Sequence, residues 1–133
     1  MGKVYTYGVF DLLHPGHIRL LQNAKKLGDW LIVGVVADHA VKDLKGEDRP
    51  IQSLMDRMEI VRNLKMVDMA VIQQSYDPAA NIRMFEPDIL TKGNDWSNIP
   101  GEKLIKEIGG ELITLPYSTD FSTSALVNKI RRT

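Results

Sequence analysis

Lys3-Val4-Tyr5-Thr6-Tyr7-Gly8-Val9-Phe10-Asp11-Leu12-Leu13-His14-Pro15-Gly16-His17-Ile18 runs from a strand through a turn into a helix. Lys3 to Tyr7 is rich in β-branched and aromatic residues, the composition of a strand. Ile18, Leu20, Leu21, Ala24 and Leu27 recur at helical spacing until Gly28 stops them. Two of the three histidines therefore sit in a strand-to-helix turn. In an open parallel α/β sheet such turns lie at the carboxyl ends of the strands, and the following helix presents free N–H groups and a partial positive charge to the crevice. Gly8 and Gly16 permit close backbone approach, and Pro15-Gly16 makes a corner across which His14 and His17 face one anion. The plainer alternative is a turn in which a histidine merely caps the helix.

The flanking sequence alternates in the same way. Trp30 to Ala37 is a dense apolar run, as in a strand buried on both faces, and Met69 to Ile72, Ile89 to Thr91 and Glu111 to Leu115 supply three more strands. Ser53 with Asp56 forms a capping box for a helix reaching Leu64; Pro78 to Phe85 reads as a shorter helix. Pro100 opens another that ends near Gly109-Gly110, and Ser122 caps a last helix bearing Leu126, Val127 and Ile130. Repeated βα units predict a five-stranded, doubly wound parallel α/β sheet, a Rossmann-like fold. The 133 residues, 44% hydrophobic and 26% charged, read as a single domain over residues 1–133.

Charge and composition narrow the partners. Seventeen basic and seventeen acidic residues cancel, so no broad field invites nucleic acid or an anionic membrane. No apolar run approaches the roughly 20 residues of a membrane span. Without cysteine there are no disulfides or thiolate metal sites, which agrees with a cytoplasmic location. No Gly-x-x-x-x-Gly-Lys-Ser/Thr motif is present and no Gly-x-Gly-x-x-Gly follows the first strand, which argues against a P-loop enzyme and against dinucleotide redox chemistry. His39 reads as surface or structural, leaving no third ligand for a zinc site on His14 and His17.

Three polar segments after other strands fit a phosphate site. Asp38 to Pro50 reads as a polar crossing region, with Lys42, Lys45 and Arg49 on a mobile flap that closes over phosphates. Lys92-Gly93-Asn94-Asp95-Trp96 follows the fourth strand. Gly93 allows close approach, Asp95 can accept from ribose or base, and Trp96 suits either packing or base contact. Tyr117-Ser118-Thr119-Asp120-Phe121-Ser122-Thr123-Ser124 precedes the last helix, whose hydroxyls and N–H groups suit either a cap or outer phosphates.

Gly8-Val9-Phe10-Asp11-Leu12-Leu13-His14-Pro15-Gly16-His17 resembles the signature of the HxGH nucleotidyltransferases, whose small members include glycerol-3-phosphate cytidylyltransferase and the heptose-1-phosphate adenylyltransferase domain. Lys45-Gly46-Glu47-Asp48-Arg49-Pro50, with Arg57-Met58 beyond, is similar to the heptose-type enzymes and favours Lys45 over Lys42. The cytidylyltransferases carry Arg-Thr-Glu-Gly-Ile-Ser-Thr-Ser/Thr before the last helix. Here Tyr117 stands where that arginine would be, a departure shared with the heptose type.

The resemblance implies transfer of AMP from ATP to a small phosphorylated substrate of sugar-phosphate type, releasing pyrophosphate, with Mg2+ and a homodimer. Alternatives are a CTP-using glycerol-3-phosphate enzyme, an FMN adenylyltransferase and a non-catalytic ATP sensor. The implied catalytic set is His14, His17 and Lys45. The implied nucleotide contacts are Gly8, Val9, Phe10, Gly16, Lys42, Lys92, Gly93, Asn94 and Asp95, joined by Tyr117, Thr119, Ser122, Thr123 and Ser124. Asp11, Arg49 and Arg57 are assigned to the acceptor or to orientation of the site.

Overall fold

The computed structural model describes residues 2–95, 97–116 and 122–132. Five strands, β1 (Lys3–Gly8), β2 (Trp30–Val36), β3 (Met69–Gln73), β4 (Ile89–Gly93) and β5 (Glu111–Leu115), form one sheet in the order β3-β2-β1-β4-β5. Every pairing is parallel. All five strands were legible as apolar, β-branched runs, and the three inner ones are the most deeply buried.

Alternate residues feed opposite faces, as the two-residue period of a strand requires. Val4, Leu31, Val33 and Val35 join a core completed by Leu21 and Ala24 of α1 (Pro15–Lys25) and Val61 of α3 (Leu54–Arg62). Tyr5, Tyr7, Ile32 and Leu90 join the other, completed by Ile82 of α4 (Ala79–Phe85) and Ile105 of α5 (Glu102–Glu107). Helices thus cover both sides of the sheet, which is the doubly wound arrangement. A hydroxyl network crosses the second face: Tyr5 Oη donates to Gln73 Oε1 at 2.6 Å and accepts from Asn81 Nδ2 at 2.9 Å. Gly34 makes room for it, since a Cβ there would collide with Tyr5 Oη.

One segment departs from its expected form. Asp38–Lys45 is a helix, α2, within the region read as a polar crossing loop. Ala40 and Val41 bury against Val36, while Asp38 in the first turn and Lys42 and Lys45 in the last complement the helix dipole. So few apolar positions conceal a helix among charges. It ends at Gly46, whose φ of 105° suits glycine. His39 is exposed on it, in keeping with a surface role. α3 begins where Ser53 accepts from Asp56 N at 3.3 Å, and α6 (Thr123–Arg131) follows β5.

Strand order reverses between β1 and β4. In this class of sheet a crevice opens there at the carboxyl edge, beyond Gly8 and Gly93.

Candidate functional site

A cleft of about 270 Å³ occupies that crevice, lined by Tyr7 to Asp11, His17, Leu20, Leu44, Lys45, Arg49, Tyr76, Lys92, Gly93, Asp95 and Ser122 to Ser124. It brings together six segments: the ends of β1 and β4, the start of α1, the end of α2 with the loop after it, the loop after β3 and the start of α6. The turn after β1 is conformationally specialised: Phe10 and Leu12 adopt positive φ values of 56° and 50°. Such values are unfavourable for residues bearing a Cβ and concentrate at functional turns.

The histidines cap α1 and each other. His14 Nδ1 accepts from Gly16 N at 3.1 Å, and His17 Nδ1 accepts from His14 N at 3.1 Å. An Nδ1 that accepts carries no proton, so each neutral ring carries its proton on Nε2. Burial, then the charges or partial charges of His14 and Lys45, push the His17 pKa down to about 3 against a weaker opposing effect of Asp11; burial also lowers that of His14. At neutral pH both are uncharged donors. The rings stack at 3.8 Å, His17 on the cleft wall and the 6%-exposed His14 behind it. Phe10 braces His17 with its ring centroid 5.5 Å away. Capping thus uses Nδ1 of each ring and leaves the proton on Nε2.

Asp11 is committed to the fold of the neighbouring loop. Its Oδ2 accepts from Ile51 N at 2.8 Å and its Oδ1 from Gln52 N at 2.9 Å, with the side chain 1% exposed. Its own carbonyl accepts from Thr123 Oγ1 at 2.5 Å, which ties α6 to the histidine turn. Arg57 is likewise committed to the chain around it. Fully buried, it donates from Nε to Gln52 O (3.0 Å), from Nη1 to Val9 O (2.8 Å) and Val36 O (2.7 Å), and from Nη2 to Asp38 Oδ1 (2.5 Å). One guanidinium therefore joins the ends of β1 and β2 to the starts of α2 and α3.

The cleft's cations are Lys45, Arg49 and Lys92. Desolvation and the Arg49 charge lower the Lys45 pKa, partly countered by Asp11. Arg49 is 8% exposed, with Nη1 donating to Ser124 Oγ at 3.4 Å and Nε 3.6 Å from Asp11 Oδ2. Lys92 donates to Tyr7 O at 2.6 Å and lies 4.2 Å over the Tyr7 ring; burial pushes its pKa down to about 8. Ser122 caps α6 by accepting from Ala125 N at 2.9 Å.

Gly16 is buried within the cap, Lys42 is exposed on α2, and Asn94 is exposed beside the cleft; none of the three lines it. Tyr117, Thr119 and Trp96 lie outside the described residues. Tyr7 and Tyr76 line the cleft without having been singled out from sequence. Tyr7 was read only as a strand residue, although its donation to Pro100 O at 2.8 Å braces the loop after β4. Tyr76 lies in the loop between β3 and α4.

The cytidylyltransferase-like family model matches residues 5–128. The bifunctional protein HldE of Helicobacter pylori strain P12 is 45% identical over 130 residues, covering 98% of this chain and 28% of that protein. Its namesake in Actinobacillus succinogenes is also 45% identical, covering 96% of this chain and 27% of its own length. This chain thus spans little more than a quarter of either relative. Among solved structures, the lipopolysaccharide core biosynthesis protein of Thermoplasma volcanium superposes with a TM-score of 0.73 at 33% identity, covering 87% of this chain and 95% of that one. Pantothenate synthetase of Thermus thermophilus, at 13% identity and a TM-score of 0.56, shares the fold. With its histidine turn at the switch point of the sheet and the family model spanning nearly its whole length, the chain belongs to the cytidylyltransferase-like family of nucleotidyltransferases.

Proposed function

We propose that the cleft transfers AMP from ATP to a small phosphorylated substrate of sugar-phosphate type. A phosphate oxygen of the acceptor forms a bond to the α-phosphorus as the bond to the β-phosphate oxygen breaks, and pyrophosphate leaves with that electron pair. No covalent enzyme intermediate is required. The observation that carries this reading is His17 on the cleft wall, a neutral ring whose Nδ1 accepts a backbone N–H so that its proton sits on Nε2.

In this reading His14 and His17 donate to phosphate oxygens as charge shifts toward the leaving group, and Lys45 neutralises it. Preorganised donors of this kind are each worth roughly 3–4 kcal/mol in a transition state. Ser122 to Ser124 at the start of α6 take the outer phosphates. Gly8 to Phe10 and Gly93 with Asp95 hold the nucleoside, and Arg49 faces the acceptor. Neutral histidines suit the task because they donate without discharging into the phosphate. The solved relative's role in lipopolysaccharide core biosynthesis fits a sugar-phosphate acceptor.

The donor set suits magnesium that enters with the nucleotide. Among the described residues no group of three His, Cys, Asp or Glu side chains converges on a metal position, and both Asp11 oxygens already accept backbone N–H groups. The ion would rest on phosphate oxygens and water, with Asp95 the cleft carboxylate available to it, and would neutralise triphosphate charge. A homodimer belongs to the same proposal and is tested by light scattering. No helix among the described residues is long and apolar enough to cross a membrane.

Pyrophosphate release with magnesium, using ATP or CTP against heptose 1-phosphate, glycerol 3-phosphate and FMN, tests the reading. ATP with the sugar phosphate is expected to release pyrophosphate and yield the ADP-sugar by mass spectrometry. Turnover confined to CTP with glycerol 3-phosphate, or to FMN, would overturn the assignment.

A further inference from the structure

Tyr76 lines the cleft from the loop between β3 and α4, as Arg49 does from the segment after α2, and the Arg49 charge acts on its hydroxyl. Its ring packs against the cluster of Val36, Ala40 and Val41 beside Val9. The loop is braced from below. Gln73, held by Tyr5, donates from Nε2 to Ser75 O at 2.8 Å, Ser75 Oγ donates to Asp77 O at 3.1 Å, and Asp77 Oδ1 accepts from Ala79 N at 3.0 Å. The ring is therefore delivered by rigid backbone.

Its hydroxyl is buried and, among the described residues, has no hydrogen-bond partner. The same holds for Nε and Nη2 of Arg49, with Asp11 Oδ2 at an ionic 3.6 Å from Nε. Buried polar groups are almost always paired, so three orphaned groups on two side chains of one cleft mark a place built for a ligand. Burial raises the Tyr76 pKa more than the nearby Arg57 and Arg49 charges lower it, so the hydroxyl keeps its proton and can donate.

We propose that Tyr76 is a specificity-determining residue for the acceptor: its hydroxyl and the unpartnered edge of Arg49 together receive the phosphate of a phosphate monoester. The proposal rests on the nucleotidyl-transfer reading and deepens its acceptor side. One cation with one neutral donor holds the dianion while leaving more negative charge on its attacking oxygen than two cations would. The triphosphate-binding groups, His17, Lys45 and the α6 hydroxyls, remain for the nucleotide.

Calorimetry with inorganic phosphate as probe tests this on wild type and Tyr76→Phe, each both free and loaded with magnesium and α,β-methylene-ATP. The phenylalanine keeps the ring and its packing, and melting curves verify the fold. Phosphate should bind the loaded wild type and bind Tyr76→Phe roughly tenfold to a hundredfold more weakly, the scale of one hydrogen bond to a charged group. Affinity for the ATP analogue should not change. Equal phosphate affinity in the two proteins overturns the proposal, as does a loss confined to the ATP analogue, which would assign Tyr76 to the nucleotide. If the analogue binds neither protein, the nucleotide reading fails, and phosphate titration of the free proteins still decides the role of Tyr76 by the same comparison.

Discussion

Replacing Arg57 by methionine should unfold the architecture of the site before it alters any ligand contact. The guanidinium is 0% exposed and makes four hydrogen bonds, three to the carbonyls of Gln52, Val9 and Val36 and one to Asp38. Methionine retains much of the apolar stem but strips all four. A buried polar group left without its partner costs about 1–3 kcal/mol. Asp38 contributes little to the sum because its side chain is 40% exposed and rehydrates. Counting the three carbonyls, and allowing some water to enter from the Asp38 side, gives a loss of roughly 3–5 kcal/mol, similar to breaking one side of a buried ion pair. Against a typical domain stability of about 5–15 kcal/mol that is a large fraction. Urea unfolding followed by circular dichroism measures it. Arg57→Lys, which keeps the charge but loses the planar fork, should recover only part of the loss. A midpoint for Arg57→Met indistinguishable from wild type would refute the reasoning, because it would mean that these carbonyls find other donors at no cost.

Four further outcomes follow from particular contacts. His17→Ala should lower kcat by on the order of 10² to 10³ in a pyrophosphate-release assay, the usual cost of a lost transition-state donor. The folded His17 pKa of about 3 lies below its unfolded value near 6.5, so the unfolded chain binds the extra proton between them. This group therefore makes wild-type stability fall as pH drops from about 6.5 toward 3, and His17→Gln should flatten that part of a urea-midpoint profile. Lys92, with a folded pKa near 8 against an unfolded value near 10.4, penalises the folded state below pH 8 and releases the penalty as pH rises toward 10.4. Lys92→Met should melt at or above wild type at pH 7, and the gap should narrow above pH 8; a gap that widens there would contradict the assignment. Gly34→Ala drives a Cβ into Tyr5 Oη and should cost roughly 1–3 kcal/mol, and Tyr5→Phe in the same chain should relieve part of it in a double-mutant cycle.

The elements legible in the sequence were those set by local chemistry. The five strands announced themselves as apolar runs, and the histidine turn as a short motif between a strand and a helix period. Features built by distant residues were not legible. Asp11 reaches the backbone of residues 40 and 41 positions away, and nothing in its neighbours indicates that both its oxygens are spent there. Arg57 resembles any charged residue on a helix until the fold buries it. α2 hid because its buried face needs only Ala40 and Val41. Tyr76 joins the cleft only through the crossover that carries β3 to the edge of the sheet. Even the motif gave up half of its design: sequence posed capping and phosphate contact as alternatives, whereas each ring caps through Nδ1 and keeps its proton on Nε2.

Equilibrium binding of ATP and CTP by calorimetry, each with magnesium, tests the central claim most directly because it needs no knowledge of the acceptor. The account predicts tighter binding of ATP, weakened in His17→Ala. Preference for CTP would contradict the adenylyl assignment, and binding of neither nucleotide would contradict the phosphate site itself.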